Sequence, residues 1–136
     1  MTESKRKERP AVAFPDLSVL AEQASSLTRG ALIAAASPRL RGKSRRHLRS
    51  LGNTLRPVVH IGHQGLTDGL ADAIWDALQQ HELVKLKVLE TCPESIGTVA
   101  LWLHGVTGGQ VAQWLGHTLL LYRPFDEKPQ IRLPEA

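Results

Sequence analysis

The clearest hydrophobic pattern in the chain lies in residues 83–89, where apolar positions alternate with Lys85 and Lys87. This period of two predicts a β-strand with one buried face and two lysines on the other. Three further segments are short, apolar and rich in strand-forming residues, namely 58–61, 110–115 and 118–122. The last two are joined by Gly116-His117, and a two-residue link that begins with glycine predicts a hairpin.

Apolar residues three and four positions apart predict helices between these strands. The predicted helices are Ser44–Leu51 with Leu48 and Leu51 inward, 67–81 capped by Thr67, and 93–104 opened by Pro93-Glu94-Ser95. The element order is therefore helix, strand, helix, strand, helix, strand, strand. It predicts an α/β fold (a two-layer α+β arrangement) with a small mixed four-stranded sheet and packed helices.

The chain of 136 residues is long enough for one domain with a tail. Prolines and charges dominate residues 1–16, and the helical pattern over 17–36 is weak. We therefore expect a flexible N-terminal extension over 1–36, which can be partly helical, and one folded domain over 37–136. The prolines after Tyr122 predict an irregular tail from about residue 124.

Positive charge is concentrated in one part of the chain. Residues 37–56 contain seven Lys/Arg and no acid, whereas residues 57–136 contain five Lys/Arg and nine Asp/Glu. The basic residues of the first segment are Arg39, Arg41, Lys43, Arg45, Arg46, Arg49 and Arg56. On the predicted helix, Arg45, Arg46 and Arg49 face outward. Such a patch favours a polyanionic partner, nucleic acid before a membrane surface.

The glycine tetrad Gly62-His63-Gln64-Gly65 stands between the first predicted strand and the helix that Thr67 caps. Glycines leave backbone N–H groups uncovered, and a helix N-terminus attracts anions. The tetrad predicts either a plain tight connection or a cradle for a phosphate. The basic run just upstream favours the cradle.

Four collinear pieces resemble the CRM domain (chloroplast RNA splicing and ribosome maturation), in its bacterial single-domain YhbY form. The pieces are Leu55–Val59, Gly62–Thr67, His81–Lys87 and Thr118–Pro124, and the resemblance covers residues 40–133. It implies a fold similar to the C-terminal domain of translation initiation factor three. It also implies binding of structured RNA, association with precursors of the large ribosomal subunit, and RNA contact by the glycine tetrad as a GxxG loop.

Two other functions fit parts of the sequence. His60-Ile61-Gly62-His63 has the spelling of the His-x-Gly-His signature of nucleotide-adenylylating enzymes, but residues 67–136 offer neither a larger nucleotide-binding sheet nor a lysine-bearing loop. The second alternative function is general binding of structured RNA that is not tied to ribosomes. The six histidines are scattered and Cys92 is the single cysteine, so we expect no metal site. Trp75, Trp102 and Trp114 are candidate stacking platforms, although at least two are expected in the core.

We therefore predict a non-enzymatic RNA-binding protein that assists assembly of the large ribosomal subunit. The lone cysteine and the lack of a long apolar run indicate a cytoplasmic protein without membrane association. We also expect a monomer without cofactor or metal. The predicted RNA-binding residues are Arg41, Lys43, Arg45, Arg46, Arg49, Gly62, His63, Gln64, Gly65, Lys85 and Lys87.

Overall fold

The computed structural model describes residues 8–9 and 16–134. The described residues form helices and strands in the predicted order, preceded by two further helices. Their bounds are α1 Leu17–Ser25, α2 Arg29–Ala36, α3 Gly42–Gly52, β1 Val59–Ile61, α4 Asp68–Gln80, β2 Leu83–Val88, α5 Ile96–Thr107, β3 Gln110–Leu115 and β4 Thr118–Tyr122.

The four strands form one mixed sheet in the order β1-β2-β4-β3. The first pair is parallel, with His60 opposite Lys87, and the other two pairs are antiparallel. Gly116 turns the β3–β4 hairpin with a φ of 58°, a conformation that glycine adopts without strain. The predicted fold class, a small mixed sheet with packed helices, is confirmed.

The main core lies between one face of the sheet and helices α4 and α5. Alternate strand residues Val84, Leu86 and Val88 enter it from β2, and Val59 and Ile61 from β1. Two tryptophans, one from each helix, are buried on this side of the molecule, as expected for indoles in a small domain: Trp75 and Trp102.

Helices α1 and α2 pack against α5, which differs from the flexible extension expected for residues 1–36. Leu32 and Ala36 are buried in the main core, and Gly97 of α5 admits Leu32 because a Cβ at Gly97 would lie 2.6 Å from Leu32 Cδ1. Small residues allow this close packing, a property that the helical pattern of residues 17–36 does not reveal. Residues 1–7 and 10–15 of the predicted extension lie outside the described residues.

Helix α3 covers part of the other sheet face. Its Leu48 packs, as predicted, in a second and smaller cluster formed by Leu83, Ala112, Leu120 and Tyr122. The helix begins at Gly42, two residues before the predicted cap. Leu51, predicted to pack inward, is exposed at the end of α3, because the sheet below the last turn is already filled by the close approach of Gly52 to Leu120.

The chain after β4 is held by the buried carboxylate of Glu82, which is 4% exposed. The carboxylate accepts backbone N–H bonds from Phe125 at 2.7 Å, Gln130 at 2.9 Å and Ile131 at 2.7 Å. Residues 123–134 contain neither helix nor strand. This clasp places Ile131 against the second cluster. Burial, and then the Glu82 charge, raise the pKa of Tyr122.

Candidate nucleic-acid interface

The glycine loop, residues 62–65, connects the end of β1 to the start of α4. The Gly65 N–H donates to the Gly62 carbonyl at 2.9 Å and closes a tight turn. Gly65 has a φ of +71°, and a Cβ there would lie 3.1 Å from Pro93 Cγ. Both the conformation and the close contact therefore require glycine at position 65.

The loop borders an open cleft with a volume of about 390 Å³. Thr67 caps α4 as predicted, because its side chain accepts a hydrogen bond from the Leu70 N–H at 3.1 Å. His63 and Gln64 are exposed at the tip of the loop. A cleft built of glycine backbone beside a helix N-terminus has the geometry of an anion cradle.

Most of the basic side chains in and just before α3 lie on the side of the helix that faces solvent. Arg41, Lys43 and Arg46 are exposed, and Arg49 is half-buried on the flank of the helix. Helix α3, which spans Gly42–Gly52, contains no acidic side chain. This part of the predicted basic patch is therefore available to a polyanion.

Arg45 does not face outward, so its predicted orientation is wrong. Its guanidinium donates to the carbonyls of Val111 at 3.1 Å and Ala112 at 3.2 Å, and to Ser37 Oγ at 2.8 Å. Burial, and secondarily the charge of Arg49, lower the pKa of Arg45. The side chain satisfies carbonyls at the outer edge of β3, a position that exposes unpaired backbone groups. Arg45 is thus half-buried and held against the edge of β3.

Lys85 and Lys87 lie on the same side of the sheet as α3. Leu83 packs against Leu48 of α3, and residues two and four further along a strand point the same way. His60 shares this side, because its neighbours on β1 enter the opposite, main core. The basic face is formed by Arg41, Lys43, Arg46, Arg49, Lys85 and Lys87. The glycine loop lies at its border, at the end of β1.

Acidic residues occupy the other side of the molecule, on α4. Asp68 and Asp72 are exposed there, and Arg9 binds both, at 3.3 Å and 2.9 Å. The basic face and the exposed carboxylates of Asp68 and Asp72 therefore lie on opposite sides of the sheet. Arg9 reduces the negative charge beside the first turn of α4.

Sequence reasoning missed the residues that surround Trp114. Arg29 lies over the indole at 4.3 Å from the ring centroid and donates a hydrogen bond to the Trp114 carbonyl. The indole Nε1–H donates to the Gly116 carbonyl at 3.0 Å. One face of this half-buried ring is thus covered by a cation. Arg29 and Trp114 are 85 residues apart, and no local pattern links them.

Two other kinds of functional feature, a metal-binding cluster and a membrane-spanning helix, are absent from the described residues. In residues 8–9 and 16–134, no three His, Cys, Asp or Glu side chains meet as a group that could hold a metal ion. Among the same residues, no helix is both long enough and apolar enough to cross a bilayer.

Comparison with known proteins gives consistent matches. The family model of the CRS1/YhbY (CRM) domain matches residues 40–123. The chain is 38% identical over 95 residues to Probable RNA-binding protein YqeI of Bacillus subtilis, covering 70% of this chain and 99% of that protein. It is 38% identical over 92 residues to a Haemophilus influenzae protein named RNA-binding protein, covering 68% and 92%. The solution structure of a Staphylococcus aureus protein, described as a candidate RNA-binding protein, superposes with a TM-score of 0.58 at 32% identity, covering 70% and 99%.

Proposed function

The chain belongs to the CRS1/YhbY (CRM) domain family, and we propose that it is a non-enzymatic protein that binds folded RNA. The observation that supports this proposal best is the position of the glycine loop at the border of the basic face. A phosphate backbone that crosses the basic face reaches the backbone of the glycine loop without meeting an acidic side chain of α3 or β2. The names of the relatives support the same partner.

In this proposal the two parts of the surface have different roles. The cations of the basic face capture phosphates by releasing their counterions, which is independent of sequence. The loop then admits a phosphate close to its backbone, aided by the partial positive charge at the start of α4. Because the loop has a fixed shape, this second contact selects for the form of the RNA rather than for its bases.

Alanine substitutions in α3 separate binding from folding. Replacing Arg46 and Arg49 together is expected to flatten the dependence of log affinity on log salt by about one to two units, at 0.7 to 0.9 per lost phosphate contact. Thermal stability should change little, because Arg46 is exposed and Arg49 is half-buried on the flank of the helix. Binding is measured by fluorescence anisotropy with an RNA hairpin over a range of salt concentrations.

Arg45→Ala is the matched control for this experiment. It is expected to lower the free energy of unfolding by about 1 to 3 kcal/mol, because two carbonyls at the edge of β3 and Ser37 lose their donor. An unchanged salt dependence in the Arg46/Arg49 variant would show that RNA binds to a surface other than that of α3.

We propose further that the RNA is ribosomal RNA in precursors of the large ribosomal subunit, as the family resemblance implies. Positive charge alone binds any RNA, with non-specific dissociation constants of about 10⁻⁴ to 10⁻⁶ M. A loop that recognises folded RNA raises the affinity for one folded rRNA segment, which every precursor particle contains, above this non-specific affinity. A general binder of structured RNA would show no such enrichment.

Sedimentation in a sucrose gradient tests this particle assignment. The protein is expected to sediment with large-subunit precursors at moderate salt, and to be depleted from translating ribosomes. Cells that lack it should accumulate incomplete large subunits. The effect should be largest at low temperature, where misfolded rRNA refolds slowly. Sedimentation with small subunits or polysomes would contradict the assembly role and leave RNA binding itself intact.

A further inference from the structure

A small apolar hollow opens at the start of β1, at the opposite end of this strand from the glycine loop. It has a volume of about 220 Å³ and is lined by Leu55, Arg56, Val58, His81, Leu83, Val84 and Lys85. Val58 is 59% exposed here, although the sequence predicted it within a buried strand. The alternation along β1 explains the difference, because Val59 and Ile61 face the main core and Val58 does not.

The rim of the hollow is positively charged. Arg56 is exposed and Lys85 is half-buried, and none of the lining residues is acidic. His81, exposed just after α4, adds an aromatic ring at a third side. An apolar floor, an imidazole and two cations match the parts of one nucleotide. A base has an apolar face that stacks on His side chains or packs on aliphatic ones, and its phosphate pairs with Arg or Lys.

The hollow is continuous with the basic face. Lys85 belongs to both, and Lys87 and His60 follow along the neighbouring strands towards the glycine loop. Val58 and Gly62 are four residue steps apart along extended chain, which corresponds to about 13 Å. A single RNA strand can therefore contact the loop and the hollow at once.

We propose that this hollow binds one unstacked nucleotide of the RNA, with its base on Leu55 and Val58 beside His81 and its phosphate at Arg56 or Lys85. This inference rests on the proposed RNA-binding function and specifies what part of an RNA the protein selects. A duplex keeps its bases stacked, so the hollow favours RNA with an unpaired nucleotide next to a helix. A peptide would also cover the apolar floor, but the cationic rim and its continuity with the basic face favour a polyanion.

The double variant Val58→Ala/His81→Ala tests the site while leaving its two rim cations, Arg56 and Lys85, in place. Its affinity for an RNA hairpin with an unpaired loop should fall about tenfold, the scale of one lost stacked base. Its affinity for a fully paired RNA of equal length, and the salt dependence of both, should stay unchanged. Val19→Ala is the matched control, because Val19 is a comparably exposed valine, 56% accessible, on α1.

Two further measurements keep the outcome decisive. RNA that carries 4-thiouridine in its unpaired loop should form photo-crosslinks in residues 55–58 or 81–85. If the double variant is misfolded by circular dichroism, Arg56→Gln replaces it, and this variant should weaken binding of the unpaired RNA more than that of the duplex. Unchanged affinity for both RNAs, or crosslinks confined to the glycine loop and α3, would overturn the nucleotide site. The proposed function fails separately, if the wild-type protein binds neither the unpaired nor the fully paired RNA.

Discussion

Replacing Glu82 by alanine is expected to lower the free energy of unfolding by about 2 to 4 kcal/mol, because three backbone N–H groups lose one shared acceptor. Those of Phe125 and Ile131 are in half-buried residues, so water replaces the carboxylate only in part. Release of the tail also uncovers the second cluster, against which Ile131 and Leu133 pack. The loss therefore combines unpaired donors with lost apolar contact.

Urea unfolding followed by circular dichroism measures this change. Glu82→Gln should lie between wild type and alanine, since an amide keeps one acceptor oxygen but loses the charge. Glu127→Ala is the control, because Glu127 is an exposed acid in the same tail. Equal unfolding midpoints for the Glu82→Ala variant and wild type would show that the clasp does not hold the tail in solution.

Gly62→Asp is expected to reduce affinity for structured RNA by about tenfold or more, because it places a carboxylate where we propose that a phosphate approaches the loop backbone. The site tolerates a side chain in the free protein. Gly62 does not have a positive φ, and a Cβ there would meet only Leu89 and Thr91 at 3.5 Å, an ordinary contact distance. The loss should persist at low salt, where other phosphate contacts are strongest.

Gly62→Ala is the matched control and should bind RNA within about twofold of wild type, since a methyl group adds no charge. Position 65 is less suitable for this test. Any side chain at Gly65 meets Pro93 and requires a left-handed backbone, so charge and strain would change together. If Gly62→Asp bound RNA as tightly as Gly62→Ala, the glycine loop would be a plain connection.

The strands and α4 could be predicted because their determinants are local. Lys85 and Lys87 alternate with apolar residues, and Thr67 stands directly before its helix, so each element is specified within a few positions. The glycine loop was located by the same means, between a strand end and a cap. The role of the basic face in RNA binding remains a prediction.

Three features that sequence reasoning misplaced or missed depend on partners far away in the chain. Arg45 binds carbonyls 66 and 67 positions later, and Glu82 binds N–H groups 43 to 49 positions later. Helix α2 enters the main core only because α5 carries a glycine opposite Leu32. A charged side chain looks the same in sequence whether it faces water or caps a distant strand. These contacts therefore require the folded arrangement.

The opposite placement of the basic face and the exposed carboxylates of α4 also bears on how the protein would approach RNA. Arg9 offsets the two carboxylates only in part, since both stay exposed, so the charge distribution keeps a dipole component that points through the sheet. In the field of a polyanion this dipole component would produce a torque, which would turn the basic face towards the RNA before any contact forms. Productive collisions become more frequent than random orientation allows. Since salt screens this torque beyond about 8 Å at physiological ionic strength, rising salt slows association more than it speeds dissociation.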